Sequence, residues 1–221
     1  MSHYFSHVRL LAGLHESAWL RDLARHGEAY RDHALIWRLF PGDAVRRDFV
    51  FRRLEDECSF YVVSARPPQD EAGLFHIQTK PYAPELKAGE QVRFDLRANP
   101  VVSRRTEGTR SQRHDVLMDA KREANTTDAL DLKAVLDEAG RNWLVNRTDQ
   151  WGLAVAGKSI LQSAYSQHTL KTKGRNIRYS SLDYQGIAQV TDPDRLKAAL
   201  FDGVGHSKGF GCGLLLVRRM D

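Results

Sequence analysis

Residues Tyr4 to Leu11, mixing aromatic and branched apolar residues with polar ones, read as a strand. From Ser17 towards Phe40 the spacing shifts to the three-and-four step of a helix within a charged stretch, and Pro41-Gly42 stops it. Phe49 to Leu54 and Phe60 to Ala65 are β-rich runs parted by Glu55-Asp56-Glu57, which predicts a hairpin whose second arm ends at Pro67-Pro68. Leu74 to Thr79 and Val92 to Arg97 follow as strands, the latter setting Val92, Phe94 and Leu96 against Arg93, Asp95 and Arg97. Asn99-Pro100 closes this half.

The run Val101 to Asp115 carries Arg104, Arg105, Arg110 and Arg113 with almost no apolar content, and predicts a mobile linker or loop. Helical patterns at Val116 to Ala124 and Ala129 to Leu144 come next, and then strand-like arms on either side of a basic turn from Lys171 to Arg178. Asp192-Pro193 supplies the N-cap and first position of a last helix, which Gly203 terminates. This order suits an α+β chain of two domains in tandem, each with helices on one face of an antiparallel sheet, and ferredoxin-like halves fit it best. The boundaries expected are 1–98 and 116–221, joined by a basic linker at 99–115. No internal repeat supports the duplication, which rests on element order alone.

Tyr30, His33 and Trp37 lie along one face of the first helix, because residues three and four apart are neighbours. Ala29, Ile36 and Phe40 on the adjoining arc anchor that helix to a sheet, leaving the stripe at the edge of the core, where a substrate reaches it. An imidazole titrates near neutrality and serves either proton transfer of phosphodiester cleavage, while a phenol beside it orients phosphate or ring. On its own such a pair is more often an ordinary half-buried contact. The stretch Gly203 to Gly213 packs five glycines into eleven residues, a loop whose backbone N–H groups can approach an anion closely. It is not a P-loop, because the Gly-Lys-Ser/Thr ending is missing, and not a dinucleotide fingerprint, because Lys208 stands where the third glycine belongs. Gly203, Gly205, Ser207 and Lys208 are the candidate phosphate contacts; a glycine turn required only by packing is the plainer reading. Lys171, Lys173, Arg175 and Arg178 crowd around Gly174, a hairpin tip suited to a duplex backbone.

Composition narrows the partners. Thirty-three Lys and Arg against 28 Asp and Glu give a net charge of +5, which favours an anionic partner. With 221 residues, 42% of them hydrophobic, the chain has enough apolar material for two cores. Only Cys58 and Cys212 occur, too few for a disulfide framework, and the stretch Met1 to Leu11 lacks the sustained apolar run expected of a signal peptide. A cytoplasmic protein with no membrane span is expected. His114, Asp115 and Asp119 are the nearest approach to a metal cluster, but no HExxH, EF-hand or paired-acid motif is present, so they read as helix-capping residues. Neither metal nor cofactor is expected. A DNA-binding regulator is disfavoured by the lack of a helix-turn-helix signature or heptads.

Several motifs in order make the sequence resemble one family. They are Tyr-x-x-His-x-x-x-Trp-x-Leu-Phe-Pro at Tyr30 to Pro41, Arg-Asp-Phe-x-Phe at Arg47 to Phe51, Phe-x-Leu-Arg-Ala-Asn-Pro at Phe94 to Pro100, Arg-His-Asp-Val at Arg113 to Val116, and the closing glycine loop. Together they are similar to the CasE family, the repeat-processing endoribonucleases of type I-E CRISPR systems. The resemblance implies two ferredoxin-like, RRM-like domains of the RAMP type. It also implies metal-independent cleavage of CRISPR precursor RNA at the 3′ base of the repeat stem-loop, by 2′-OH attack, giving a cyclic phosphate and a 5′-OH. His33 falls on the catalytic histidine and Tyr30 on its supporting tyrosine, while the Lys171 to Arg178 turn matches the hairpin that enters the RNA groove and Lys208 the basic position of the glycine loop. Relatives stay on the crRNA hairpin as Cascade subunits and touch the backbone subunit. A non-catalytic subunit that only binds an RNA hairpin is the alternative; the second proton-transfer group is not identified.

Overall fold

The structure is a computed structural model that describes residues 2–11, 25, 27–42, 47–56, 58–104, 112–126, 128–172 and 175–220. The N-terminal half contains β1 (His3–Leu10), α1 (Glu28–Trp37), β2 (Phe49–Arg53), β3 (Ser59–Ser64) and β4 (Phe75–Tyr82). Its sheet runs β2-β3-β1-β4 with every pair antiparallel, the ferredoxin-like order. The expected β2–β3 hairpin forms, and its turn is fixed by the Asp56 carboxylate, which accepts from the Cys58 and Ser59 amides at 3.2 and 2.9 Å. The link from β3 to β4 spans 65–74 without a helix, where the full ferredoxin-like pattern has one. The helix expected from Ser17 onward is described only from Glu28, with Gly27 at φ 101 in front of it.

The C-terminal half contains β5 (Gln91–Ala98), β6 (Val101–Arg104), β7 (Gln112–Asp115), α2 (Val116–Glu123), α3 (Ala129–Thr148), β8 (Leu153–Val155), β9 (Leu161–Thr172), β10 (Arg175–Val190), α4 (Pro193–Asp202) and β11 (Leu215–Arg219). Its sheet order is β11-β5-β10-β8, with β9 also on β10, which is the same ferredoxin-like order again. β5 is therefore a central strand of the second sheet, and the chain passes between halves at 83–90, ahead of the expected boundary after residue 98. The expected linker at 99–115 is corrected too: Val101–Arg104 pairs with Gln112–Asp115 as a two-stranded ribbon. Alternation marks which face of a strand is buried and is blind to which strands pair, and a solvated ribbon needs little apolar content. α4 starts as expected, the Asp192 carboxylate accepting from the Asp194 and Arg195 amides at 3.0 Å each, and stops at Gly203 with φ 68.

Hydrophobic contacts fuse the halves. α1 buries Leu35 and Ile36, and with Leu39 and Phe40 beyond its end they cover one face of the first sheet through Val8, Phe49, Phe51, Phe60 and Val62. The other face carries Val50 and Val63, which pack on Leu214 with Phe201 and Leu216 of the C-terminal half alongside. Polar pairing reinforces the seam. Arg97 holds Asp183 through two bonds of 2.7 and 2.8 Å, and Arg52 of β2 reaches across to both Asp95 and Asp183. No helix among the described residues is long and apolar enough to cross a membrane.

Candidate active site and nucleic-acid interface

β9 and β10 extend past the sheet as a two-stranded ribbon. Their register shifts between Ser181 and Asp183, opposite Ala164, which sits at φ 53, a bulge at the point where the ribbon leaves the sheet. One face of the ribbon carries Leu170, His168 and Tyr179 and lies against α1, where a Cβ on Gly27 would come within 3.1 Å of the Leu170 side chain. Arg178 is exposed. Lys171 and Arg175 are paired on the strands, opposite Asn176 and Thr172, and Lys173 lies outside the described residues.

His33 is half-buried on α1, between the two halves. Its Nδ1 lies 2.8 Å from the Gly209 carbonyl oxygen. A carbonyl only accepts, so Nδ1 carries the proton, and the neutral ring holds its lone pair on Nε2. Tyr30 and Trp37 flank it on the helix, with ring centroids 6.5 and 5.2 Å away, and Phe210 of the glycine loop stands at 5.4 Å. Thus the expected stripe forms at the core edge. Residues that sequence reasoning passed over complete the surroundings: the Gly209 carbonyl, Phe210, Arg47 and Asp32. Arg47 and His33 both border Gly209, where a Cβ would meet the Arg47 guanidinium at 3.4 Å and the His33 ring at 3.5 Å. Asp32, only 6% exposed, has its carboxyl raised to about 6 by burial, which outweighs the opposing pull of Arg53 and Arg31. A cavity of about 100 Å³ separates α1, the glycine loop and the ribbon, lined by Asp32, Arg53, Arg97, His168 and Tyr179 among others.

The glycine loop divides into a closed base and an open tip. At the base the Val204 amide donates to the Gly213 carbonyl at 2.8 Å, and the Gly213 amide to the Arg97 carbonyl at 2.7 Å. Gly203 is there for steric reasons, since a Cβ would lie 2.8 Å from Val50 and 2.9 Å from the Gly213 oxygen. Gly205, at φ 69, faces open space. Ser207 sits at φ 55 and its Oγ accepts from Asn99 Nδ2 at 2.6 Å. Lys208 directs Nζ onto the Asp202 and Gly203 carbonyls at 2.9 and 2.8 Å, completing the C-terminus of α4. Exposed His206 joins the basic surroundings, and burial with the nearby Arg113, Arg147 and Lys208 charges holds its imidazole below the usual range. Of the three residues that hinted at a metal, Asp115 caps α2 through the Leu117 and Met118 amides, Asp119 pairs with Arg104 and Arg122, and His114 lies on β7 opposite Val102.

A family model described as CRISPR associated protein matches residues 4–219. Among curated proteins, the CRISPR-associated endoribonuclease Cse3 of Thermus thermophilus is 28% identical over 193 residues, covering 83% of this chain and 79% of that protein. The CRISPR system Cascade subunit CasE of Escherichia coli K12 is 27% identical over 206 residues, covering 90% and 92%. A solved structure of Thermus thermophilus Cse3 bound to an RNA representing a pre-cleavage complex superposes with a TM-score of 0.68 at 21% identity, over 99% of this chain and all of that one. Nearly the whole chain is thus matched in sequence and in fold, the resemblance read from its motifs holds, and the chain belongs to the family of CRISPR-associated proteins that includes CasE.

Proposed function

We propose that this chain is a metal-independent endoribonuclease that cuts CRISPR precursor RNA at the 3′ base of the repeat stem-loop and stays on the crRNA hairpin as a Cascade subunit. The observation that carries the reading is the bond from His33 Nδ1 to the Gly209 carbonyl, because it leaves Nε2 as the proton-accepting atom of a half-buried ring. In this scheme Nε2 takes the proton of the attacking 2′-OH. The oxygen closes on the adjacent phosphorus, the P–O5′ bond breaks, the leaving O5′ takes a proton from solvent while Nε2 returns its own to solvent, and the products end in a 2′,3′-cyclic phosphate and a 5′-OH. Tyr30 orients the ring or the phosphate beside it, and nearby guanidinium groups offset charge on the phosphorane. The ribbon, with Lys171, Lys173, Arg175 and Arg178, grips the stem, and the open tip at Gly205 and Ser207 faces the backbone next to the cut. Lys208 adds positive charge there while its amine braces α4.

The relatives' names support this reading, since one is called an endoribonuclease, one a Cascade subunit, and the superposed structure carries a pre-cleavage RNA. The same reading puts the protein in the cytoplasm, with repeat RNA and the Cascade backbone subunit as partners. Purified protein incubated with repeat RNA in EDTA should give one cut at the 3′ base of the stem, with the ends named above. His33→Ala should bind the hairpin with unchanged Kd and give no product. Loss of all cutting in EDTA, or full cutting by His33→Ala, overturns the mechanism; tight binding by the wild type without product makes this a binding subunit.

A further inference from the structure

We infer that Tyr179 is a positioning residue for His33, acting through the Gly209–Phe210 turn; this rests on the catalytic role proposed for His33. Two successive carbonyls of that turn are held from opposite sides. Gly209 accepts from His33 Nδ1 at 2.8 Å, and Phe210 accepts from the Tyr179 hydroxyl at 3.3 Å. The Phe210 ring stands between the other two, stacked on Tyr179 with centroids 5.5 Å apart and tilted against His33 at 5.4 Å. Within the turn the Phe210 and Cys212 amides return to the Ser207 carbonyl at 2.9 and 3.4 Å, and Gly209 and Gly211 on either side of Phe210 have no side chain to pack. Rotating the 209–210 peptides out of place would therefore break the bonds of His33 and Tyr179 together.

Tyr179 is well placed to be the rigid member. It lies on β10 opposite His168, whose ring stacks on it at 4.5 Å and whose Nε2 is 2.8 Å from the Ser181 hydroxyl. Burial pushes its phenol far above the ordinary range, so it is a donor at every working pH. The foot of the RNA-gripping ribbon is thus joined to the imidazole by a phenol, one aromatic ring and two carbonyls. A ribbon seated on RNA would hold the same turn that sets the His33 tautomer.

Tyr179→Phe keeps the ring stack and removes only the hydroxyl donor. Single-turnover cleavage of repeat RNA should fall about tenfold, the scale of one lost positioning bond, with hairpin Kd within about twofold of the wild type. Ring ¹⁵N spectra of histidine-labelled protein, with the His33 signals assigned from His33→Gln, should show the Nδ1–H tautomer giving way to a mixture. Wild-type rate together with an unchanged tautomer overturns the inference, and so does a loss of rate matched by an equal loss of affinity, which would make Tyr179 an RNA contact. If His33→Ala still cuts, the catalytic reading itself has failed. A dead His33→Ala beside a fully active Tyr179→Phe rejects the positioning role alone.

Discussion

Asp32→Asn should stabilise this protein at neutral pH and leave it unchanged in acid. The Asp32 carboxyl is 6% exposed, with Arg31 Nη2 at 3.2 Å and Arg53 Nη1 at 3.6 Å, and burial still raises its pKa from 3.8 to about 6. Two arginines therefore fail to repay the desolvation of the carboxylate. A folded-state pKa above the unfolded one means the native protein binds the extra proton between those values, so stability falls as pH rises from about 4 to about 6 and then stays low. At about 1.4 kcal/mol per pH unit the interval amounts to at most about 3 kcal/mol. Asn has the same shape and no charge, and so removes that penalty. Urea unfolding of wild type and Asp32→Asn should coincide near pH 4 and diverge by about 2–3 kcal/mol at pH 7.5, with a Tm higher by up to about 10 °C. Other carboxylates titrate alike in both proteins and cancel in the difference. A pH-independent difference, or an Asp32→Asn protein less stable at pH 7.5, would mean the arginine pairs outweigh burial and would refute the reasoning.

The seam between the halves and the basic ribbon give two further tests. Asp183→Asn leaves Arg97 and Arg52 without the carboxylate they share across the seam, and should cost about 3 kcal/mol in urea unfolding; a change under about 0.5 kcal/mol would show the network to be ornamental. Changing Lys171, Lys173, Arg175 and Arg178 together to Ala should make the log–log salt dependence of hairpin binding shallower, by about 0.9 per lost phosphate contact, and an unchanged slope removes the ribbon from the interface.

Local chemistry was legible in the chain. Asp192-Pro193 announced the start of α4, Gly203 its end, and the spacing of Tyr30, His33 and Trp37 the exposed edge of α1. Pairing was not. Val92, Phe94 and Leu96 form one apolar face whichever sheet takes them, and only the contacts of β5 with β10 and β11 assign it to the second half. The direction of Lys208 was equally hidden, because a lysine beside glycines reads as a phosphate ligand until the end of α4 brings two carbonyls within 3 Å of its amine. Least visible of all was the acceptor for His33. A backbone carbonyl has no residue-type signature, and Gly209 lies 176 positions from the histidine it fixes.

That separation explains why a commonplace helical pair becomes a candidate site. Tyr30 and His33 belong to one half, while the group that sets the imidazole's tautomer belongs to the other, so the proposed chemistry is available only where the halves are docked. The base of the glycine loop is tied to the Arg97 carbonyl on β5, and the Arg97 side chain holds Asp183, which Arg52 reaches from β2. Val50, on the same strand as Arg52, fills the space that a Cβ on Gly203 would need. The bonds that close the seam therefore also hold the base of the loop that carries the Gly209 carbonyl, and a loosened seam would free the ring to exchange tautomers before the chain lost its fold.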